Sequence, residues 1–354
     1  MKDTLRWQTI AWGRILLGRR VARGEWEALN AWRGLMHQAY SGQPMQPNLC
    51  HDLWHQGRFQ SPFKKKAFFT PNRREREPSS HHYGHDIQLK RYCGLPLVGA
   101  PLPVLLEHGL KVAESSRFEV PKAWAKHGYL CMGPLRAQWL QKKHAVPANP
   151  IGPWIRFAKP LLTEEQLQRH RQHSGKTLLV VLAHSWDQVE RSMDVQACID
   201  AVRSIAIQND YRRVVWLRHW KDPLNLPLPD SWITACNGHR SNPWFLDALR
   251  TLLELSNGLA TNAFGTHLGY AVALKTSLHW IDVTAEQDLR QLPTGKVKEE
   301  QAEWQERQRL SGELRLALQL PLDQQTSAVH QLLDPYWGLS IQTSSKEIAE
   351  LLGR

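Results

Sequence analysis

Short apolar segments alternate with amphipathic segments along the second half of the chain. Segments 188–208, 243–255 and 266–274 have the apolar spacing of packed helices. The apolar runs between them are short, which predicts buried strands that alternate with helices in a parallel sheet covered on both faces, a Rossmann-like arrangement. The predicted strands lie in KTLLVVLAHS, RRVVWLRHW, SWITACNG, GLATNA and SLHWIDV.

The first half has a less regular pattern. Two Trp-rich amphipathic segments, 7–17 and 26–40, predict helices, and the aperiodic segment 63–86 predicts an exposed loop. Its histidines, His81, His82 and His85, are assigned no role, because a short His cluster in a loop is more often solvated than bound to a metal. Apolar runs in LPVLLEHGLKV and HGYLCMGPLRAQWL predict further strands.

These patterns predict an α/β protein with two Rossmann-like domains that face a cleft. A length of 354 residues fits two domains of ordinary size, and the Pro-rich segment 146–153 is the predicted linker. The basic domain, 1–150, would face the acceptor, and 151–354 would bind the donor with a helical tail. Segment 286–320 is predicted to be a charged helix, and a final helix to strap across the two domains.

Charge is distributed unevenly between the two predicted domains. Residues 1–150 carry 23 Lys and Arg against 10 Asp and Glu, a net charge of +13, whereas residues 151–354 carry 22 against 23. A basic first half suits an anionic partner, which leaves nucleic acid, an anionic membrane face and an acidic glycan or lipid acceptor open.

Several protein classes are disfavoured by what the sequence lacks. It has no apolar run of membrane-spanning length and no secretory leader, which predicts a cytoplasmic protein. The five cysteines form no CxxC pair, so neither a zinc site nor a disulfide framework is indicated. There is no GxGxxG after a strand, no P-loop and no GxSxG elbow, which disfavours dinucleotide binding, P-loop hydrolysis and esterase chemistry.

Polar and ionisable residues follow three of the predicted strands. In an open parallel sheet, ligands bind outside the carboxyl ends of the strands, so these residues are candidates for binding a phosphate-activated donor. Each of them taken singly also fits a hydrogen-bonded strand end, such as a buried histidine or a salt bridge. The candidates are His184 and Ser185 after the first strand, Arg218, His219 and Lys221 after the second, and Asn262 after the fourth.

The turn TNAFGTHLGYA joins the fourth strand to a helix. Backbone N–H groups at a helix start suit a phosphate, so Gly265, Thr266 and His267 are predicted to hold one. The alternative is a merely capped helix, with Thr266 as the cap. In the first half, Glu107 and His108 follow a strand, which is typical of a general base that faces an acceptor hydroxyl, and equally of a hydrogen-bonded turn.

Several segments resemble, in order, a poorly characterised bacterial family associated with surface-polysaccharide biosynthesis, whose members resemble GT-B glycosyltransferases. The resemblance covers roughly residues 90–350 and includes NPIGPWIRFA, KTLLVVLAHSWD and SNGLATNAFGTHLGYAVAL. Ala183 stands where the family has proline, and Thr261 where it has serine. The residues that match the family's motifs are Trp154, Phe157, His184, Ser185, Asn262, Gly265, Thr266 and His267.

This resemblance implies a metal-independent glycosyltransferase with two domains around a cleft. A nucleotide-sugar would be the co-substrate rather than a cofactor, and a surface polysaccharide or lipid-linked glycan would be the acceptor. The basic half would contact that acceptor or the anionic inner face of the membrane. Two alternatives remain: a non-catalytic protein that binds nucleic acid or acidic glycan through its basic half, with nucleic acid the less favoured ligand, and a degenerate GT-B protein that binds sugar phosphates without transfer.

Overall fold

The computed structural model describes residues 82–95, 102–116, 127–144, 147–185, 189–219, 222, 226–237 and 245–353. The two Trp-rich segments predicted to be helical, 7–17 and 26–40, lie outside these residues.

Ten strands form three sheets within the described residues, and the chain is a mixed α/β protein with parallel sheets. Two of the sheets are parallel and the third is an antiparallel pair. The strands are β1 (Leu105–Leu106), β2 (Tyr129–Cys131), β3 (Ala148–Pro150), β4 (Thr177–Val181), β5 (Glu190–Ser192), β6 (Arg213–Arg218), β7 (Ile233–Cys236), β8 (Gly258–Thr261), β9 (Ser277–Trp280) and β10 (Glu286–Asp288).

Nine α-helices accompany these strands in the described part of the chain. They are α1 (His85–Tyr92), α2 (Pro134–His144), α3 (Glu164–Ser174), α4 (Val195–Gln208), α5 (Phe245–Glu254), α6 (Thr266–Ala273), α7 (Thr294–Leu318), α8 (Leu322–Trp337) and α9 (Ser345–Leu351).

The larger sheet has the strand order β7-β6-β4-β8-β9, and all its pairings are parallel. The chain enters at the central strand β4, adds β6 and β7 on one side, and then returns to add β8 and β9 on the other. The strand order therefore reverses between β4 and β8. In open parallel sheets this switch point is where a crevice forms outside the carboxyl ends of the strands.

Apolar side chains cover both faces of this sheet, as its sequence predicts. Leu178 and Val180 of β4 pack with Ile199 and Val202 of α4 on one face. Leu179, between them in the sequence, belongs to the core on the other face. This alternation places a helical layer on each side of the strands.

The smaller parallel sheet has the order β1-β2-β3. Part of the predicted linker 146–153 is therefore a strand, since β3 pairs with β2 from Tyr129 opposite Ala148 to Cys131 opposite Pro150. The linker prediction was wrong for this stretch because backbone pairing decides the strand and its side chains give no apolar signal. The division of the chain at residue 150 stays a prediction.

Two predicted helices begin later than their sequence patterns suggest. In segment 188–208, strand β5 comes first and α4 starts after Asp194, whose side chain accepts a hydrogen bond from the Ala197 N–H at 2.9 Å. In segment 286–320, strand β10 comes first and α7 starts after Pro293. Strands β5 and β10, which are distant in sequence, form an antiparallel pair of polar residues that carries no apolar alternation.

The C-terminal helices pack on the smaller sheet. Gly133, before α2, lies so close to the Tyr336 backbone of α8 that a β-carbon there would come within 2.3 Å of the Tyr336 carbonyl carbon. The Arg156 guanidinium donates to the carbonyls of Leu339 and Ile341, beyond α8. These contacts hold α8 and the segment after it against the smaller sheet, and a strap of the final helix across two domains stays a prediction. Across the described residues, no helix combines the length and apolarity that a membrane span requires.

Candidate functional site at the switch point

The buried amide of Asn262 connects both sides of the switch point. Its Oδ1 accepts from the Ala183 N–H, beyond β4, at 2.9 Å, and its Nδ2 donates to the Val283 carbonyl, beyond β9, at 3.0 Å. Nδ2 also lies 3.3 Å from the Met193 sulfur. Asn262 is thus fully engaged within the protein, and it holds the ends of neighbouring strands together where a donor was expected to bind.

The turn between β8 and α6 is closed by a second buried side chain, His267. Its Nε2 lies 2.8 Å from the Thr261 hydroxyl, so the ring folds back onto the turn. A β-carbon at position 265 would lie 2.8 Å from His267 Cε1, which explains why glycine stands there. Burial, together with the nearby His184 and Arg307, lowers the pKa of His267 to about 3, so the ring is neutral at ordinary pH.

Helix α6 begins at this turn without a side-chain cap. Its N-cap residue is Gly265, and Thr266 is already the first helical residue, so the alternative with Thr266 as the cap was wrong. The N–H groups of the first helical turn have no intrahelical partner in any α-helix, and the positive end of the helix dipole lies with them. The Leu268 N–H donates to the Gly265 carbonyl at 3.1 Å, so the backbone N–H groups of Thr266 and His267 are the ones that this helix start can offer to an anion.

The ends of β4 and β6 lie side by side. The rings of His184 and His219 stack with their centroids 4.4 Å apart and a 16° angle between their planes. The Arg218 guanidinium is buried and donates to the Asp222 carbonyl, while the Asp222 carboxylate accepts from the His219 N–H at 2.8 Å. The structure thus brings the predicted histidines together, and Arg218 supports the loop that holds them. Lys221 lies outside the described residues.

Two arginines that the sequence argument missed lie at the same edge. The Ser185 hydroxyl accepts from the Arg191 N–H at 2.9 Å, which fixes the start of β5 beside the end of β4. The Arg191 guanidinium lies over the Trp304 ring of α7 at 5.1 Å, and 3.7 Å from Glu300. Its pKa is lowered to about 10 by burial and by the neighbouring positive charge of Arg307.

Arg307 of α7 contacts the turn itself. Its guanidinium donates to the carbonyl of Phe264, immediately before Gly265, and to the carbonyl of Leu110, beyond β1, at 2.6 Å. The local sequence gave one usable signal, the i,i+4 spacing of Glu303 and Arg307 on a predicted helix. That signal indicates an ion pair but cannot say which loop the pair will meet.

Glu107 and His108, the two candidates for the general base, differ in their surroundings. The Glu107 carboxylate is buried and forms an ion pair with Arg136, whose Nη2 lies 2.6 Å from Oε1 and whose Nε lies 2.8 Å from the same atom. Arg136 also donates to the Ser116 carbonyl at 2.9 Å. The Glu107 carboxylate is thus engaged with Arg136 within the protein, in an ion pair between two buried side chains. His108 is half-buried, and which of the two residues serves as the base stays a prediction.

Within the described residues, no group of three or more His, Cys, Asp and Glu side chains could hold a metal ion.

No protein-family model matches the chain, and no curated protein matches it. Among solved structures, the chain is similar to the wall teichoic acid polymerase TagF, with 14% sequence identity and a TM-score of 0.41. The likeness covers 71% of this chain and 67% of that one. At this identity and score, it assigns neither the fold nor the function of this protein.

Proposed function

We propose that the protein is a glycosyltransferase that binds a nucleotide-sugar donor at the switch point between β4 and β8. One observation carries the proposal: the reversal of strand order coincides with an uncapped helix start, the stacked His184 and His219, and the guanidinium group of Arg191. Neutral rings, backbone N–H groups and arginines are the donors that bind phosphate oxygens.

The reaction places a different demand on each side of the site. An acceptor hydroxyl oxygen attacks the anomeric carbon of the donor sugar while the bond from that carbon to the phosphate oxygen breaks. The electron pair leaves with the nucleoside diphosphate, whose growing charge the α6 N-terminus and Arg191 would stabilise. The hydroxyl proton passes to a base, for which His108 is the candidate.

The acceptor side of this proposal depends on the basic first half. Its net charge of +13 suits an anionic glycan, a lipid-linked acceptor or the surface of an anionic membrane. Residues 1–81 lie outside the described residues, so the acceptor, and a location at the inner face of the membrane, are proposals from charge and resemblance.

The first test is thermal stability of the full chain with a panel of nucleoside diphosphates, nucleotide-sugars, inorganic diphosphate and nucleic acid. A ligand that binds only the folded state raises the melting temperature by mass action. We expect one nucleotide family to stabilise the protein, and Arg191→Leu and His219→Ala to reduce that shift by at least half. Arg203→Leu is the matched control, because Arg203 is exposed on α4 and pairs with Asp200 of its own helix.

Absence of a shift with every nucleotide would contradict the proposal. A shift with nucleic acid alone, unchanged in both site variants, would instead support the binding alternative through the basic half.

A further inference from the structure

Glu303 of α7 closes a small cage of donors from the loop after β1. Its carboxylate accepts from the backbone N–H groups of Val112, at 3.1 Å, and Ala113, at 3.2 Å, and from the Ser116 hydroxyl. The Glu303 side chain is 6% exposed, so these hydrogen bonds are shielded from water. We refer to residues 107–116 as the acceptor loop, since they contain His108.

Arg307, one helical turn further along α7, joins this loop to the other side of the site. It donates to Leu110 in the acceptor loop and to Phe264 in residues 261–266, which we call the donor turn. It also lies 3.3 Å from the Glu303 carboxylate. Two side chains on one rigid helix therefore fix both segments that the proposed reaction must bring together.

This arrangement has few alternatives of similar energy. Successive backbone N–H groups aimed at one carboxylate form an anion-binding concavity, and a buried N–H that loses its acceptor carries a large desolvation cost. The loop has therefore one favoured position relative to α7. On the same helix, Trp304 lies under Arg191, so α7 supports the phosphate side as well.

We propose that Glu303 and Arg307 are positioning residues that hold the acceptor loop against the donor turn and transmit donor binding to it. The inference rests on the proposed function for the identity of the ligand. A phosphate bound at the α6 N-terminus immobilises the donor turn, and with it the Phe264 carbonyl. Arg307 is thereby restrained and restrains Leu110 in turn, so binding free energy at one segment is shared with the other.

The test is amide hydrogen exchange on the full chain, with and without the nucleoside diphosphate that gives the largest thermal shift, and with inorganic diphosphate as a second probe. In the wild type we expect the ligand to slow exchange in segment 110–116 by about tenfold. In Glu303→Gln, exchange of the Val112 and Ala113 amides should rise by about tenfold without ligand, because a neutral amide oxygen accepts hydrogen bonds more weakly than a carboxylate and the new amide NH2 group would face the Arg307 guanidinium.

The ligand-induced change in amide exchange distinguishes a residue that couples the two segments from one that only stabilises the fold. Glu303→Gln and Arg307→Lys should keep a thermal shift from the ligand but lose the slowing of exchange in segment 110–116. Arg309→Lys is the matched control on α7, because Arg309 is exposed and pairs with Glu306 and Glu313 of its own helix. It should behave as the wild type does.

Three results would overturn the inference. In the first, a ligand stabilises the wild type but does not change amide exchange in segment 110–116. In the second, Arg307→Lys keeps the ligand-induced slowing of exchange there. In the third, Glu303→Gln exchanges these amides at the wild-type rate. If Glu303→Gln does not fold, Arg307→Lys decides the matter. If no ligand stabilises the wild type, the proposed function and donor transmission both fail, whereas faster exchange in folded Glu303→Gln would still support loop holding.

Discussion

The Asn262 side chain illustrates how a single amide can define a sheet edge. It accepts from one strand end and donates to another, and little of it is exposed. A residue of this kind looks like a ligand-binding candidate in the sequence. A polar side chain after a strand has the same appearance there whether it bonds to the protein's own backbone or to a ligand. Only the tertiary partners show that the Asn262 amide links two strand ends through hydrogen bonds and does not await a ligand.

Replacement of Asn262 with Asp tests how much this hydrogen-bond link contributes to stability. The shape is kept, but the donor to the Val283 carbonyl is lost and a negative charge is buried. We expect the free energy of unfolding to fall by about 2 kcal/mol, the cost of leaving buried polar groups unsatisfied. Urea denaturation measures this loss of free energy. The control is Gln324→Glu, an exposed amide-to-carboxylate change in the first turn of α8. Equal stability of Asn262→Asp and wild type would show that the link between the strand ends does not stabilise the fold.

His267 makes stability depend on pH. Its pKa is about 3 in the folded chain, below the ordinary value of about 6.5 in an unfolded chain, so the unfolded state binds more protons between these values. Its contribution to stability is therefore complete above about pH 6.5 and is lost progressively as the pH falls towards 3. His267→Gln removes this contribution and should flatten the decline.

Urea denaturation at pH 7 and pH 5 measures the difference, which has a ceiling of about 1.4 kcal/mol per pH unit for one proton. The exposed His173→Gln on α3 should follow the wild type. Parallel declines in wild type and His267→Gln would show that His267 is not the responsible group.

At the scale of elements, the packing of α6 on α8 depends on Gly269. A β-carbon there would lie 2.2 Å from ring atoms of Trp337, which is fully buried and donates from Nε1 to the Thr266 carbonyl at 3.1 Å. This contact brings α8 to the first turn of α6, beside the proposed phosphate site.

Gly269→Ala should therefore lower the free energy of unfolding by about 1–3 kcal/mol through overpacking, although alanine is the better helix former. Gly312→Ala on α7 is the matched control, since a β-carbon there meets nothing within 4 Å. It should raise the free energy of unfolding by about 0.5–1 kcal/mol. Two variants with the same effect would show that the Trp337 contact does not limit the packing.

Strands were predictable from the sequence where their burial requires a run of apolar residues. Strands β4, β6 and β8 are apolar runs, and the rule that ligands bind at carboxyl ends selected their neighbours His184 and His219. The antiparallel β5–β10 pair and strand β3 were not predictable, because backbone pairing holds polar or Pro-containing residues there. Arg191 and Arg307 were missed for a similar reason: what places them is a contact between distant segments.

At the scale of the whole molecule, contacts cross the predicted boundary at residue 150 in several places. Apolar side chains from the smaller sheet, such as Leu106 and Leu130, belong to one core with Leu259 of β8 and Leu314 of α7. The Arg91 guanidinium lies 2.7 Å from the buried Asp247 carboxylate of α5. Together with the α7 contacts, these interactions tie the two sheets into one packed unit among the described residues.

A shared core predicts that both sheets unfold together. In urea, tryptophan fluorescence and far-UV circular dichroism of the full chain should give coincident transitions with one midpoint, because loss of either sheet exposes apolar surface of the other. Asp247→Asn weakens the ion pair with Arg91 and should shift both curves to lower urea by the same amount. Two separated transitions, only one of which moves in Asp247→Asn, would instead show that the chain divides into independently stable domains and that the contacts across residue 150 are those of a weak interface.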